Sequence, residues 1–374
     1  MDTLLCLVFA FLFSFVLIKT LINYIDKHDA KIFFKYNKNK TDISQDEIKD
    51  LLSIFDINED FSKYSFLPMK YPELLEYYKD LKKSSWVPEE LDLMNDRNDW
   101  DKMTEAQRQP VQFILFLFAQ LDGLVAENLV ERFKKDTSML KECRAFYAAQ
   151  EYNEWIHNET YSNLIDVFIR DEELKKKGLN SIKHYESIKL IASWCKKFMR
   201  KEFPLNKRIL VFACIEGIIF SAAFAVVYYI KKLNILTGLT KANEWIARDE
   251  GVHTRFAVAL YWILVKLGII VELTTDEVYY IVDYSVRLAS YLMNDALKVH
   301  LLGLDKEDMI IYIKCVADSM CVAFGKPKLY NLKNKLEWMA IISLPNKTNF
   351  FEGKVTEYQK NNDDDFEFST TEEF

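Results

Sequence analysis

Glu154-Trp155-Ile156-His157-Asn158-Glu159-Thr160-Tyr161 is the segment from which the architecture of the chain follows. On a helix of about 3.6 residues per turn, Glu154, His157 and Tyr161 stand at i, i+3 and i+7, so a carboxylate, an imidazole and a phenol share one face. That face looks like half a metal site with an oxidisable ring beside it. The chain has five histidines, and only one other, His253, has a glutamate three residues before it, Glu250. A single Glu-x-x-His is commonly a solvated pair, and Tyr161, one of 20 tyrosines, taken alone reads as core packing. The duplication carries the weight.

Outward from these two helices, each is preceded by an apolar run holding a lone acid. Residues 209–230 contain no charge except Glu216, and residues 110–126 none except Asp122. Burying an unpaired carboxylate costs several kcal/mol or forces it to hold a proton, so each needs a cation. Asp122 precedes Glu154 by 32 residues and Glu216 precedes Glu250 by 34. Four carboxylates and two imidazoles from four helices are the ligand set of a carboxylate-bridged dinuclear site in a ferritin-like bundle. Two divalent ions offset four carboxylates, and an oxygen-rich set without thiolate favours iron or manganese over structural zinc. The competing reading of residues 209–230 is a membrane span with an intramembrane acid.

Composition agrees with an all-α chain. Of 374 residues half are apolar, while Gly is 9 and Pro is 7, too few breaks for β architecture. Periodicity predicts helices over about 105–133, 140–170, 185–201, 206–233, 240–268, 275–302 and 306–324, a short one near 45–55, and a helical first turn at Pro88-Glu89-Glu90. The net charge of -7 argues against nucleic acid as a partner. Six scattered cysteines without a Cys-x-x-Cys pair read as buried, reduced thiols.

The ends differ from the middle. Residues 4–18 carry no charge, and with Lys19 snorkelling the run extends to residue 22 or 25, the lower end of what a membrane anchor needs; an amphipathic or core-packing helix is the competing reading. Lysines 19, 27, 31, 35, 38 and 40 come after it, which puts the main domain on the cytoplasmic side. The division expected is an apolar segment at 1–25, a polar linker at 26–66, a dimetal domain at 67–345 and a flexible tail at 346–374. The last fourteen residues hold six acids and no base, yet include Phe366, Phe368 and Phe374, the make-up of a docking peptide.

With these residues in place, the chain from about residue 65 onward resembles the small, radical-generating subunit of class I ribonucleotide reductase. The resemblance rests on residues 86–92, 121–133, 154–161, 215–221, 247–253 and 348–352. It implies one metal held by Asp122, Glu154 and His157 and a second by Glu216, Glu250 and His253, with Glu154 and Glu250 as bridges. Two iron ions are implied, with manganese as the other choice. Tyr161 falls at the tyrosine that is oxidised to a stable radical when the reduced metals meet O2, and Phe220, Phe224 and Ile246 at the apolar residues lining its pocket. Trp86 and Asp249 match a path for radical transfer toward the surface, and Tyr358 the relay tyrosine of the tail. Phe368 and Phe374 match the anchors that dock on the large catalytic subunit, where ribonucleotides are reduced to deoxyribonucleotides. A homodimer is implied as well. Two other readings compete, a stand-alone ferritin-like diiron oxidase and a catalytically silent membrane-tethered regulatory paralogue. Tyr358 and the Phe-ended tail speak against the first, the intact ligand set against the second.

Overall fold

The computed structural model describes residues 43–54, 56, 61–298, 304–336 and 339. The expected anchor at 1–25, Tyr358, Phe368 and Phe374 lie outside them. The chain divides into two compact units, 1–65 and 66–374. In the first, α1 (Gln45–Ser53) starts at a reciprocal cap in which Ser44 Oγ accepts the Glu47 N–H and Glu47 accepts the Ser44 N–H.

The second unit is helical throughout its described secondary structure. Its first helices are α2 (Pro72–Lys83), α3 (Met94–Lys102), α4 (Glu105–Asp136), α5 (Lys141–Phe168) and α6 (Glu172–Gly178). After them come α7 (Glu186–Phe198), α8 (Leu205–Lys232), α9 (Thr237–Lys266), α10 (Thr275–Ala296) and α11 (Lys306–Ala323). Pro88–Glu90 departs from expectation. It forms a single 3-10 turn, because Leu91 is extended at φ -92°, ψ 125° and the Asp92 carboxylate accepts the Met94 N–H to start α3 separately.

α4 packs along α5 and α8 along α9, while α5 also meets α9 and α4 meets α8, so these four form a bundle. α2 covers α5 and α9; α10 and α11 cover α8. The pattern arises from the sequence of α5, whose buried residues Cys143, Phe146, Tyr147, Gln150, Glu154, His157, Tyr161, Leu164 and Phe168 recur at three- and four-residue steps. Phe146 of α5 stacks on Phe256 of α9 at 3.6 Å between centroids. α4 and α8 are long and apolar enough to cross a membrane, yet the whole apolar window of α8 is buried inside the protein. Residues 209–230 are therefore a core helix, and Glu216 an acid of the bundle interior.

Two local irregularities position the site. α4 and α8 each contain a π-helical turn, Leu129–Phe133 and Ile215–Ile219. One extra residue in a turn rotates the rest of the helix by about 100° relative to a regular one, so Glu216 and the later Phe220 and Phe224 need not share one straight stripe. The start of α9 is pinned by two acids of α3: Asp96 accepts the Gly238 and Leu239 N–H groups, and Asp99 that of Leu236. Gly238 is required there, since a Cβ would stand 2.5 Å from the Asp92 carbonyl oxygen.

Candidate metal centre

The four bundle helices bring Asp122 (α4), Glu154 and His157 (α5), Glu216 (α8), and Glu250 and His253 (α9) to one buried cluster. None is more than 2% exposed. Two overlapping groups have ligand atoms within 4.8 Å of one another: Asp122, Glu154 and His157; and Glu154, Glu216, Glu250 and His253. Glu250 turns Oε1 toward His157 Nδ1 and Oε2 toward His253 Nδ1, each at 3.1 Å. Glu154 does the same at longer range, Oε1 lying 3.3 Å from His253 Nδ1 and Oε2 3.8 Å from His157 Nδ1. Both carboxylates thus face both imidazoles. Glu216 Oε1 lies 3.8 Å from His253 Nδ1.

The polar atoms here are poorly satisfied by the protein itself. Both Asp122 oxygens, Glu154 Oε2, Glu216 Oε2, Glu250 Oε1 and His157 Nδ1 are buried without a hydrogen bond. Buried polar groups are nearly always paired, so a cluster of this kind calls for cations. Two divalent ions fit the donor set: each group supplies carboxylate oxygens and one imidazole nitrogen, and the charges balance. Protonation tells the same story. Burial pushes the Asp122, Glu154 and Glu216 carboxyls well above the usual range, with the neighbouring acids adding to it. Glu250 goes the other way, because His253 and His157 outweigh the effect of burial. For His157 burial opposes the charge, but Asp249 and Glu250 outweigh it and raise the imidazole.

Around the cluster, Asp249 Oδ2 lies 3.4 Å from His157 Nε2 and accepts the Trp86 indole N–H at 2.8 Å. That contact orients the imidazole from behind, as the partner of a metal-bound histidine does. The Trp86 ring stacks on His157 with centroids 6.1 Å apart. Tyr161 is 2% exposed and its hydroxyl makes no hydrogen bond. Burial, then the charge of Asp122, pushes its phenol well above the ordinary value, so the ring is neutral.

Phe220, Phe224 and Ile246 are all buried, the first two in the aromatic cluster beside Tyr161 and Ile246 on α9 one turn before Glu250. Two further residues belong here. Phe118 stacks on Tyr161 at 4.7 Å and 9° and also touches Phe220 and Phe224 at 5.3 and 4.9 Å. It lies four residues before Asp122, so helical spacing from the ligand signals it. Gln150, one turn before Glu154, donates its amide to Glu216 Oε1 at 2.8 Å.

Comparison with known proteins agrees with this geometry. The family profile of the ribonucleotide reductase small chain matches residues 63–335. A ribonucleoside-diphosphate reductase small chain from Trypanosoma brucei brucei is 40% identical over 304 residues, covering 81% of this chain and 89% of that one. The ribonucleotide reductase R2 subunit of Clostridium botulinum superposes with a TM-score of 0.67 at 22% identity, over 75% of this chain and 92% of that one. The ribonucleotide reductase Rnr4 homodimer of Saccharomyces cerevisiae gives 0.64 at 27% identity, over 84% and 95%. With its buried cluster of four carboxylates and two histidines inside a ferritin-like bundle, the chain belongs to the ribonucleotide reductase small-chain family and is a small subunit of ribonucleoside-diphosphate reductase.

Proposed function

We propose that this chain stores a one-electron oxidising equivalent on Tyr161 and lends it to a large subunit that reduces ribonucleotides. The observation that carries the proposal is the pair Glu154 and Glu250, each facing both imidazoles, on the same two helices that hold the buried Tyr161 and the Asp249 contact. Asp122, Glu154 and His157 would hold one metal, and Glu216, Glu250 and His253 the other, with Glu154 and Glu250 placed to serve both. Iron is the metal proposed, with manganese the alternative that the same oxygen-rich donors accept. When bound, the metal pair supplies the oxidising chemistry with O2.

The protein's own residues do the rest. The neutral phenol of Tyr161 gives up an electron together with its proton. Phe118, Phe220, Phe224 and Ile246 keep water and reductants away from the radical that remains. Asp249 holds the His157 imidazole in one tautomer and joins it to Trp86, which supports the path Tyr161, His157, Asp249, Trp86 for the returning electron. Tyr358 continues that path in the tail, and Phe368 and Phe374 dock it on the large subunit. A second copy of the chain is the other partner, for which Tyr152 and Trp155, 51% and 59% exposed on α5, offer an apolar face. Attachment to a membrane through residues 4–22 rests on the uncharged run 4–18, extended past Lys19.

The test is reduction of a ribonucleoside diphosphate by the full-length chain, loaded aerobically with iron and mixed with its large subunit. Deoxynucleotide formed only when both metal and O2 have been supplied is the expected result. Equal formation without metal contradicts the proposal.

A further inference from the structure

We propose that Trp245 is a redox relay that carries the oxidising equivalent from buried Trp86 to the protein surface, an inference that rests on the reading of Tyr161 given above. Trp86 is 6% exposed, so it has little surface through which to meet a second polypeptide. Among the described residues its ring meets two aromatic partners, stacked on His157 at 6.1 Å and tilted against Trp245 at 5.2 Å with an interplanar angle of 50°. Trp245 is only partly buried. The contact is built rather than incidental. Trp245, Arg248 and Asp249 stand at i, i+3 and i+4 on α9, one face of the helix. Asp249 accepts the Trp86 indole N–H at 2.8 Å and Arg248 Nη2 donates to the Ser84 carbonyl at 2.6 Å, which clamps the segment bearing Trp86 against that face.

A leucine at 245 would cover Trp86 as well, but it could not be oxidised. Electron tunnelling weakens exponentially with distance, so two indoles in contact replace one long jump from a buried ring by two short ones. Lys241 Nζ stands 4.8 Å over the Trp245 ring. The cation is attracted to the electron-rich face of the neutral ring and repelled by its oxidised form, so the equivalent rests on Trp245 only in passage.

The step starts from oxidised Trp86, whose indole proton has moved along its hydrogen bond to Asp249. One electron passes from Trp245 to Trp86, and Asp249 returns the proton to Trp86 Nε1, re-forming that N–H bond. Trp245, now short of one electron, breaks its own indole N–H bond and releases the proton to water. One electron and one proton leave Trp245, and one of each is regained by Trp86.

The test uses the full-length, metal-loaded chain with its large subunit and a ribonucleoside diphosphate. Trp245→Phe keeps a ring in place but removes its ease of oxidation; Trp245→Tyr keeps an oxidisable ring. The relay requires turnover per tyrosyl radical to fall about tenfold or more in Trp245→Phe and to return in large part in Trp245→Tyr, with metal content and the Kd for the large subunit unchanged. Turnover per radical within about twofold of the unaltered chain in Trp245→Phe overturns it, and so does a loss fully explained by a weaker Kd. A second arm leaves the packing alone: in the isolated chain, Lys241→Gln should speed quenching of the radical by the neutral reductant ferrocenemethanol. An unchanged quenching rate also overturns the relay. An unaltered chain that reduces substrate without a tyrosyl signal would instead overturn the reading of Tyr161, and is seen before Trp245 is touched.

Discussion

At the scale of the residue, the metal centre is a problem of charge burial with a testable sign. Asp122, Glu154 and Glu216 bind protons more tightly folded than unfolded, and so does His157, while Glu250 alone binds them less tightly. For the three acids, a raised folded value means that above roughly pH 4, where the unfolded chain loses its protons, the folded protein must either keep them or bear buried charge. For His157 the extra stability is complete below about pH 6.5 and is lost as pH rises through the raised folded value. Both effects make the metal-free protein less stable as pH increases, and Glu250 opposes them singly. Metal ions replace those protons, so metal binding should release protons and strengthen with pH. The difference in thermal midpoint between loaded and chelator-stripped protein is expected to widen from about pH 5.5 to about pH 8, because rising pH removes the protons that compete with the metal ions. A difference that narrows over that range contradicts this account of the cluster.

The same scale shows what was legible in the sequence. The clustered acids and histidines could be singled out because a lone charge in an apolar helix is too costly to bury without a cation, and the i, i+3 spacing recurs twice. Phe118 and Gln150 were not, although each lies one turn from a ligand, because a phenylalanine in an apolar run and a glutamine in a polar one look ordinary. Trp86 and Asp249 are 163 residues apart, and no local spacing predicts such a hydrogen bond. Only the family resemblance brought the two together.

At the scale of the element, helix boundaries came from pattern, since the buried stripes of α5 and α9 are long and regular and α8 is one long apolar run. The π-helical turns did not, because hydrophobic period over a short window cannot show one inserted residue. The cap of α9 was also hidden, as its acids come from α3. That cap fixes the axial position of Glu250 and His253. Asp96→Ala, which strips two N–H groups of their acceptor, should lower stability by about 1–2 kcal/mol in urea unfolding of the loaded protein. A change within about 0.3 kcal/mol would show that α9 is held by packing alone.

At the scale of the whole molecule, the radical site proposed at Tyr161 is useful only if the chain can reach its partner. The tail beginning near residue 346 lies outside the described residues, but its acids and phenylalanines give it the composition of a peptide that orders on binding. A synthetic peptide of residues 368–374 is expected to inhibit reduction by competing with the small subunit, an inhibition overcome by raising the concentration of this chain. Inhibition that stays constant as the chain is added would place the docking contact elsewhere. The apolar N-terminus adds a separate question, answered by fractionation: the full-length chain should sediment with membranes, and a chain starting at residue 43 should not.

The most direct measurement is electron paramagnetic resonance of the full-length chain and of Tyr161→Phe after aerobic iron loading, with metal content determined on the same samples. The two ligand groups should still hold their metal in the variant, because Tyr161 supplies no ligand atom to either. The account predicts a tyrosyl signal in the unaltered chain and none in Tyr161→Phe at equal metal content. A tyrosyl signal that persists in Tyr161→Phe would contradict it.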